Sequence, residues 1–130
     1  MTMLVALMLS AGLDVTVTGL HSDRGEVRIA VFATSEGWPQ EDEKAVRRAA
    51  VKIAGRAATV HFDGLPEGRY AAIAFHDEDG DGVLKKGAFG VPQEGWGASR
   101  DARGTFGPDF EEAAFALSGA AAKISFAVRY

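Results

Sequence analysis

Cysteine is absent from this 130-residue chain. Disulfides, zinc–thiolate sites, iron–sulfur clusters and thiol nucleophiles are therefore excluded. The compartment stays open, because exported bacterial proteins often lack cysteine too. A basic surplus is also missing: 14 Lys and Arg stand against 18 Asp and Glu, a formal net charge of −4. The basic residues are scattered, with Arg47-Arg48 and Lys85-Lys86 the only adjacent pairs. A nucleic-acid partner needs a basic patch to neutralise phosphates, so none is expected. No apolar run is long enough to cross a bilayer as a helix, so no integral membrane span is expected either. The apolar and charged fractions, 47% and 25%, are ordinary for a globular chain and argue against disorder. The length suits one domain around one core.

The N-terminus speaks to compartment. Met1 to Leu13 is almost wholly apolar, with small residues Ser10, Ala11 and Gly12 near a plausible cleavage point. That is the shape of the apolar core of a secretory signal, although no Lys or Arg precedes it. The alternative is a first strand or an apolar N-terminal arm packed on the fold. The export reading divides the chain into a signal remnant or arm, 1–12, and a domain, 13–130, and places it in the periplasm or outside the cell.

Strand-like alternation dominates the rest of the chain. Leu13, Val15 and Val17 alternate with Asp14, Thr16 and Thr18, the pattern of a half-buried strand. After the polar turn His21-Ser22-Asp23-Arg24-Gly25, Glu26 to Ala33 alternates again, and the two segments read as a hairpin. Gln40 to Ala50 is charged, acid first and base later, which suits a short surface helix or ordered loop. Val51–Ile53 and Ala57–Phe62 read as strands, and Asp63-Gly64 as a turn. Pro66 and Gly68 set a tight turn before Tyr70, which opens a strand to His76. That strand is apolar on both faces and so belongs in the middle of a sheet. Val83 to Pro108 is glycine-rich and short of strand pattern, but carries Phe89, Trp96 and Phe106; aromatics argue for order. Pro108 to Glu112 reads as a helical turn, and Ala113–Leu117 and Lys123–Tyr130 as the last strands, with Ile124, Phe126, Val128 and Tyr130 on one face. About seven strands spaced by turns predict an all-β, antiparallel β-sandwich with one or two short helices.

The segment with most chemistry is Asp77-Glu78-Asp79-Gly80-Asp81-Gly82. Three alternating carboxylates on a loop that two glycines let curl could converge on Ca²⁺, which takes several oxygen ligands. Crowded like charges are unfavourable without a counter-ion. The bland alternative is a solvated Asp-Gly turn whose side chains cap their own backbone. The segment matches the first half of an EF-hand loop, but Ala88 stands where the bidentate Glu belongs and a strand enters the loop, so it is not an EF-hand. As a sandwich calcium loop it would use Asp77, Asp79 and Asp81, a backbone oxygen near Val83, and Glu94. With Lys85 and Lys86 nearby, affinity would fall on the order of 10⁻⁴ to 10⁻³ M, as for extracellular modules. His76 is either a ligand for a softer metal or an anchor for the loop backbone; the anchor is preferred. His21 and His61 are isolated in sequence.

No catalytic constellation emerges. Ser99 lacks a nucleophile elbow. His76 and Asp77 are sequence neighbours, which rarely gives base–orienter geometry. Solvated acids would not raise one pKa selectively, as a glycosidase pair requires. A small hydrolase using His76 and the acids is the minor alternative. Trp38 and Trp96 fall in loops, where aromatics more often plug a small core than meet a ligand. Phe89 and Trp96 are nonetheless the candidate contacts for a glycan or peptide, since loops on a rigid scaffold commonly carry binding.

Several segments together resemble a family of small bacterial exported proteins, domain of unknown function family 2141. They are Val15–Leu20, Gly25–Phe32, Gly64–Tyr70, His76–Gly82, Gly90–Gly97 and Phe106–Phe110 with Ala113-Ala114-Phe115. The resemblance implies a transthyretin-like or carboxypeptidase-regulatory-like sandwich outside the cytoplasm, and no reaction. The expectation is thus an exported binding or structural module with a candidate Ca²⁺ loop and an unidentified protein or glycan partner.

Overall fold

The computed structural model of the chain describes residues 10–80, 95–104, 107–119 and 121–130. Two sheets pack face to face, as the alternation predicts. The first has the order β4-β1-β8, and the second β3-β2-β5-β6, with β7 pairing β5 further along the same edge. The strands are β1 (Ser10–Thr18), β2 (Glu26–Phe32), β3 (Arg47–Lys52), β4 (Ala58–Pro66), β5 (Gly68–Asp77), β6 (Trp96–Ala98), β7 (Phe115–Leu117) and β8 (Ala121–Ala127). A short helix covers Phe110–Ala113, and 3-10 turns cover Asp42–Lys44 and Ser99–Asp101. Not every pairing is antiparallel: β8 runs parallel to β1.

The inner faces follow the period-two pattern. Leu13, Val15 and Val17 from β1 meet Val27, Ile29 and Val31 from β2 in one buried cluster with Leu65, Tyr70, Leu117 and Phe126. Each fully buried large apolar side chain contributes about 1.5–3 kcal/mol. β5 is apolar on both faces because both are covered. Its inner face, Ala72, Ala74 and His76, lies opposite Val31, Ile29 and Val27 of β2. Its outer face is roofed by a second cluster in which Ala30, Phe32, Ala71 and Ala98 of the sheet pack under Ala102, Phe110, Ala113 and Trp38. Trp38 plugs this roof, its ring edge-on to Phe32 and Phe110, with its indole N–H donating to the Pro108 carbonyl at 2.8 Å.

Ser99 ties the roof down. Where β6 turns away after the Ala98–Ile73 pair, the buried Ser99 hydroxyl takes over the ladder. It accepts the Ala72 N–H at 3.0 Å and donates to the Ala113 carbonyl at 2.6 Å. The Tyr70 hydroxyl donates back to the Pro66 carbonyl, fixing the corner where the chain leaves one sheet for the other, in the manner of a tyrosine corner.

Three local expectations are corrected. β1 and β2 do not form a hairpin: they lie in different sheets, and the 19–25 connection crosses between them. The charged stretch from Gln40 is a single 3-10 turn followed by β3 from Arg47, not one helix or loop to Ala50. Ala49 and Val51 pack on the core while Arg48, Ala50 and Lys52 are exposed, and β3 is an edge strand, where exposed charge discourages pairing with other chains. Asp63-Gly64 is no chain reversal but a bulge inside β4, where the register against β1 shifts and Gly64 takes φ 71°, as glycine allows.

Candidate functional site

One end of the sandwich gathers three segments into a polar rim. The first is the 19–25 connection, which lies hard against the end of β5. A Cβ at Gly25 (φ 74°) would overlap the Asp77 carbonyl, so only glycine lets the chain pass there. The second is the end of β5 itself, His76 and Asp77, followed by a turn in which the Gly80 N–H donates to the Asp77 carbonyl at 3.3 Å. The third is the C-terminal segment. After β8 it leaves the first sheet and exchanges two backbone hydrogen bonds between Arg129 and Trp96. This brings Tyr130 to the rim.

The side chains form one network. His76 is fully buried. Its Nε2 lies 2.7 Å from the Arg24 carbonyl, and its Nδ1 lies 2.7 Å from the Tyr130 hydroxyl. A carbonyl only accepts, so Nε2 carries the hydrogen and Nδ1 accepts the Tyr130 O–H. The Tyr130 oxygen also accepts the His21 backbone N–H at 3.1 Å. Its ring stacks on the His21 imidazole, 3.9 Å between centroids. His21 Nε2 reaches Glu78 Oε2 at 2.8 Å, and the Ser22 hydroxyl donates to the same oxygen at 3.1 Å. The His21 hydrogen bond, assisted by Ser22, holds the Glu78 carboxyl below the usual carboxylate range, against a smaller opposing effect of burial. Burial pushes the Tyr130 phenol up.

Among the described residues, His21, His76 and Glu78 are the one group of three metal-capable side chains whose donor atoms converge, one atom of each lying within 4.8 Å of the others. The residues expected to hold Ca²⁺ are distributed differently. Asp77 is buried on the opposite face of β5 from His76. There Arg28 Nε sits 3.5 Å from its carboxylate, and Arg28 also pairs with Glu26. Asp79 is exposed on the turn. Asp81, Val83, Phe89 and Glu94 lie outside the described residues. Trp96 is half-buried on β6 with the Arg103 guanidinium 4.4 Å above its ring. His61 is elsewhere, on the outer face of the first sheet between Asp14 and Asp63.

Sequence reasoning placed His76 at the end of a buried strand and beside an acidic turn. It missed Tyr130 and His21 as its neighbours. His21 and Tyr130 are brought together only by the crossing of the chain between sheets. The one available signal was the alternation Phe126, Val128, Tyr130, which carries Tyr130 along the core-facing side to the sandwich end.

Fold and rim together define a small β-sandwich domain with an apolar core and a polar, histidine-bearing end. The chain belongs to a family described as uncharacterized protein conserved in bacteria (DUF2141), which matches residues 15–125. No curated protein and no solved structure matched the chain.

Proposed function

We propose that this domain is an exported binding or structural module rather than an enzyme, and that the rim built by residues 19–25, His76–Asp79 and Tyr130 is its working surface. The observation that carries this reading is the engagement of the groups a hydrolase would need. Both ring nitrogens of His76 are taken, by a backbone carbonyl and by Tyr130. The Ser99 hydroxyl is buried between two backbone groups of the roof. A general base must reach its substrate's proton directly or through one water, and a fully buried imidazole with both nitrogens engaged does not. Loops fixed on a rigid scaffold are suited to binding instead.

Calcium on the Asp77–Gly82 segment is the ligand the acidic stretch suggests. Arg28 already supplies a positive charge beside Asp77, which lowers the gain from a cation there and agrees with affinity on the order of 10⁻⁴ to 10⁻³ M. Calorimetric titration tests it: saturable heat with Ca²⁺, lost in Asp79→Ala, supports the loop, and no heat removes calcium. Turnover of a chromogenic ester, phosphoester or glycoside, abolished by His21→Ala, would overturn the non-enzymatic reading. Contact with a glycan or peptide through Trp96 is the weaker alternative, because Arg103 already covers one face of that ring.

Export rests on the apolar segment Met1–Leu13. Ser10 pairs with Pro66 and Ala11 is buried opposite Leu65, so a cut after Gly12 would strip β1 of its first three residues. Mass spectrometry of the exported protein should therefore find a mature N-terminus at or before Ser10; an exclusively cytoplasmic protein starting at Met1 would refute export.

A further inference from the structure

We propose that His21, His76 and Glu78 form a binding site for a borderline transition-metal dication, Zn²⁺ or Cu²⁺, at the rim of the sandwich. The inference rests on the rim being a binding surface, and it assigns a ligand class different from the calcium expected of the acidic turn. Two imidazoles and one carboxylate are a nitrogen-rich donor set. Imidazole suits zinc and copper, whereas calcium takes oxygen ligands only.

The geometry supports such a centre in three respects. First, the donors are close. His21 Nε2 and Glu78 Oε2 are 2.8 Å apart, and one donor atom of each of the three residues lies within 4.8 Å of the others. Tetrahedral zinc with bonds near 2.0–2.1 Å separates its ligand atoms by about 3.4 Å. No separation therefore needs to close by more than about 1.4 Å. The half-exposed His21 side chain can make that movement; the fully buried His76 stays fixed.

Second, the ligand atom on His76 is already selected. The Arg24 carbonyl holds Nε2–H, which orients the ring and leaves the Nδ1 lone pair facing the Tyr130 hydroxyl. Metal-bound histidines ordinarily carry such a carbonyl or carboxylate on the other nitrogen. For an ion to take that lone pair, the exposed Tyr130 hydroxyl swings aside and keeps its proton, and His21 carries its hydrogen on Nδ1 so that Nε2 is free to ligate.

Third, the carboxylate is supported as well. The Ser22 hydroxyl donates to Glu78 Oε2, and Gly25 holds the connection that carries His21 and Ser22 against the β5 end. Ligands with their own hydrogen-bonded supports need only a local adjustment of the exposed His21 and Tyr130 side chains to close on an ion. The three protein ligands leave a fourth position for water or a small exogenous ligand, as in open zinc sites.

Calorimetry on the untagged full chain in chelator-stripped buffer tests the site, with ZnCl₂, CuCl₂ and CaCl₂ as separate probes. Zinc and copper should bind at one equivalent. His21→Ala and Glu78→Gln, each checked for unchanged far-ultraviolet circular dichroism, should weaken them at least tenfold, and Asp42→Asn, on the exposed 3-10 turn outside the rim, should leave them within about twofold. Absence of zinc and copper binding by the wild-type chain would overturn the proposal. So would zinc binding that survives both rim variants but is lost in His61→Ala, which would move the ion to the outer face of the other sheet. A negative calcium titration alone would remove the acidic-turn reading and leave this one standing.

Discussion

Replacing Ser99 by Ala removes one oxygen and disconnects two buried backbone groups. The hydroxyl is the hydrogen-bond acceptor for the Ala72 N–H at 3.0 Å and the donor to the Ala113 carbonyl at 2.6 Å, in a site 1% exposed. An alanine methyl fills most of the volume but bonds to neither. Leaving a buried donor or acceptor unsatisfied costs about 1–3 kcal/mol. Two such groups, with some relaxation at the end of the short helix, bring the expected loss to about 2–4 kcal/mol. For a domain of this size that is a fall in Tm on the order of 10 °C. Urea unfolding followed by circular dichroism measures it directly, and an unchanged m-value would show that the folded state keeps its compactness. A loss under about 0.5 kcal/mol would refute the inference that Ser99 continues the β5 ladder and clamps the roof.

Two further substitutions probe a tight turn and the outer face of the first sheet. Arg56 is exposed and takes φ 61° beside Gly55 at φ 62° in the two-residue turn joining β3 to β4. Left-handed backbone costs a non-glycine residue about 1–2 kcal/mol, so Arg56→Gly should stabilise the fold by about 0.5–1 kcal/mol after glycine's extra unfolded-state entropy. The Asp23 carboxylate, which accepts both turn N–H groups, keeps its partners, and a lower Tm in the variant would contradict the reading. His61 titrates above its ordinary value, raised mainly by its hydrogen bond to Asp14 and then by Asp63. Desolvation opposes the effect without reversing it. A folded-state pKa above the unfolded one means that the stabilisation is complete below about pH 6.5. It is lost as pH rises through the folded value. Wild type should therefore lose stability across that rise relative to His61→Gln, and an NMR titration should place His61 above its ordinary value. Equal pH profiles would refute the prediction.

The sandwich was legible because alternation in β1, β2 and β5 reports burial directly, and because β5, apolar on both faces, could only sit where both faces are covered. β3 was hard to read for the opposite reason. Its residues Arg47 to Lys52 are short on β-branched side chains, and only Ala49 and Val51 mark its inner face. The supposed β1–β2 hairpin failed because a seven-residue polar connection reads alike whether it reverses the chain within a sheet or crosses to another. The same crossing explains the rim. Local pattern put His76 and the acidic turn at a strand end, but the convergence of His21 and Tyr130 on His76 depends on where Gly25 and Gly97 let other segments approach. A Cβ at Gly97 would overlap the Ala127 carbonyl, so that glycine admits the tail carrying Tyr130. In sequence it is one of 16 glycines, with nothing to mark its role.

The rim is organised around a buried histidine whose Nδ1 accepts the Tyr130 hydroxyl and whose Nε2–H is fixed. Histidine side-chain ¹⁵N spectra recorded while Zn²⁺ is added test this residue by residue. His76 Nδ1 and His21 Nε2 should shift together with one equivalent of zinc, His76 Nε2–H should persist on the Arg24 carbonyl, and His61 should be unmoved. Shifts confined to His61, or a His76 ring that loses its Nε2 proton to the metal, would contradict it.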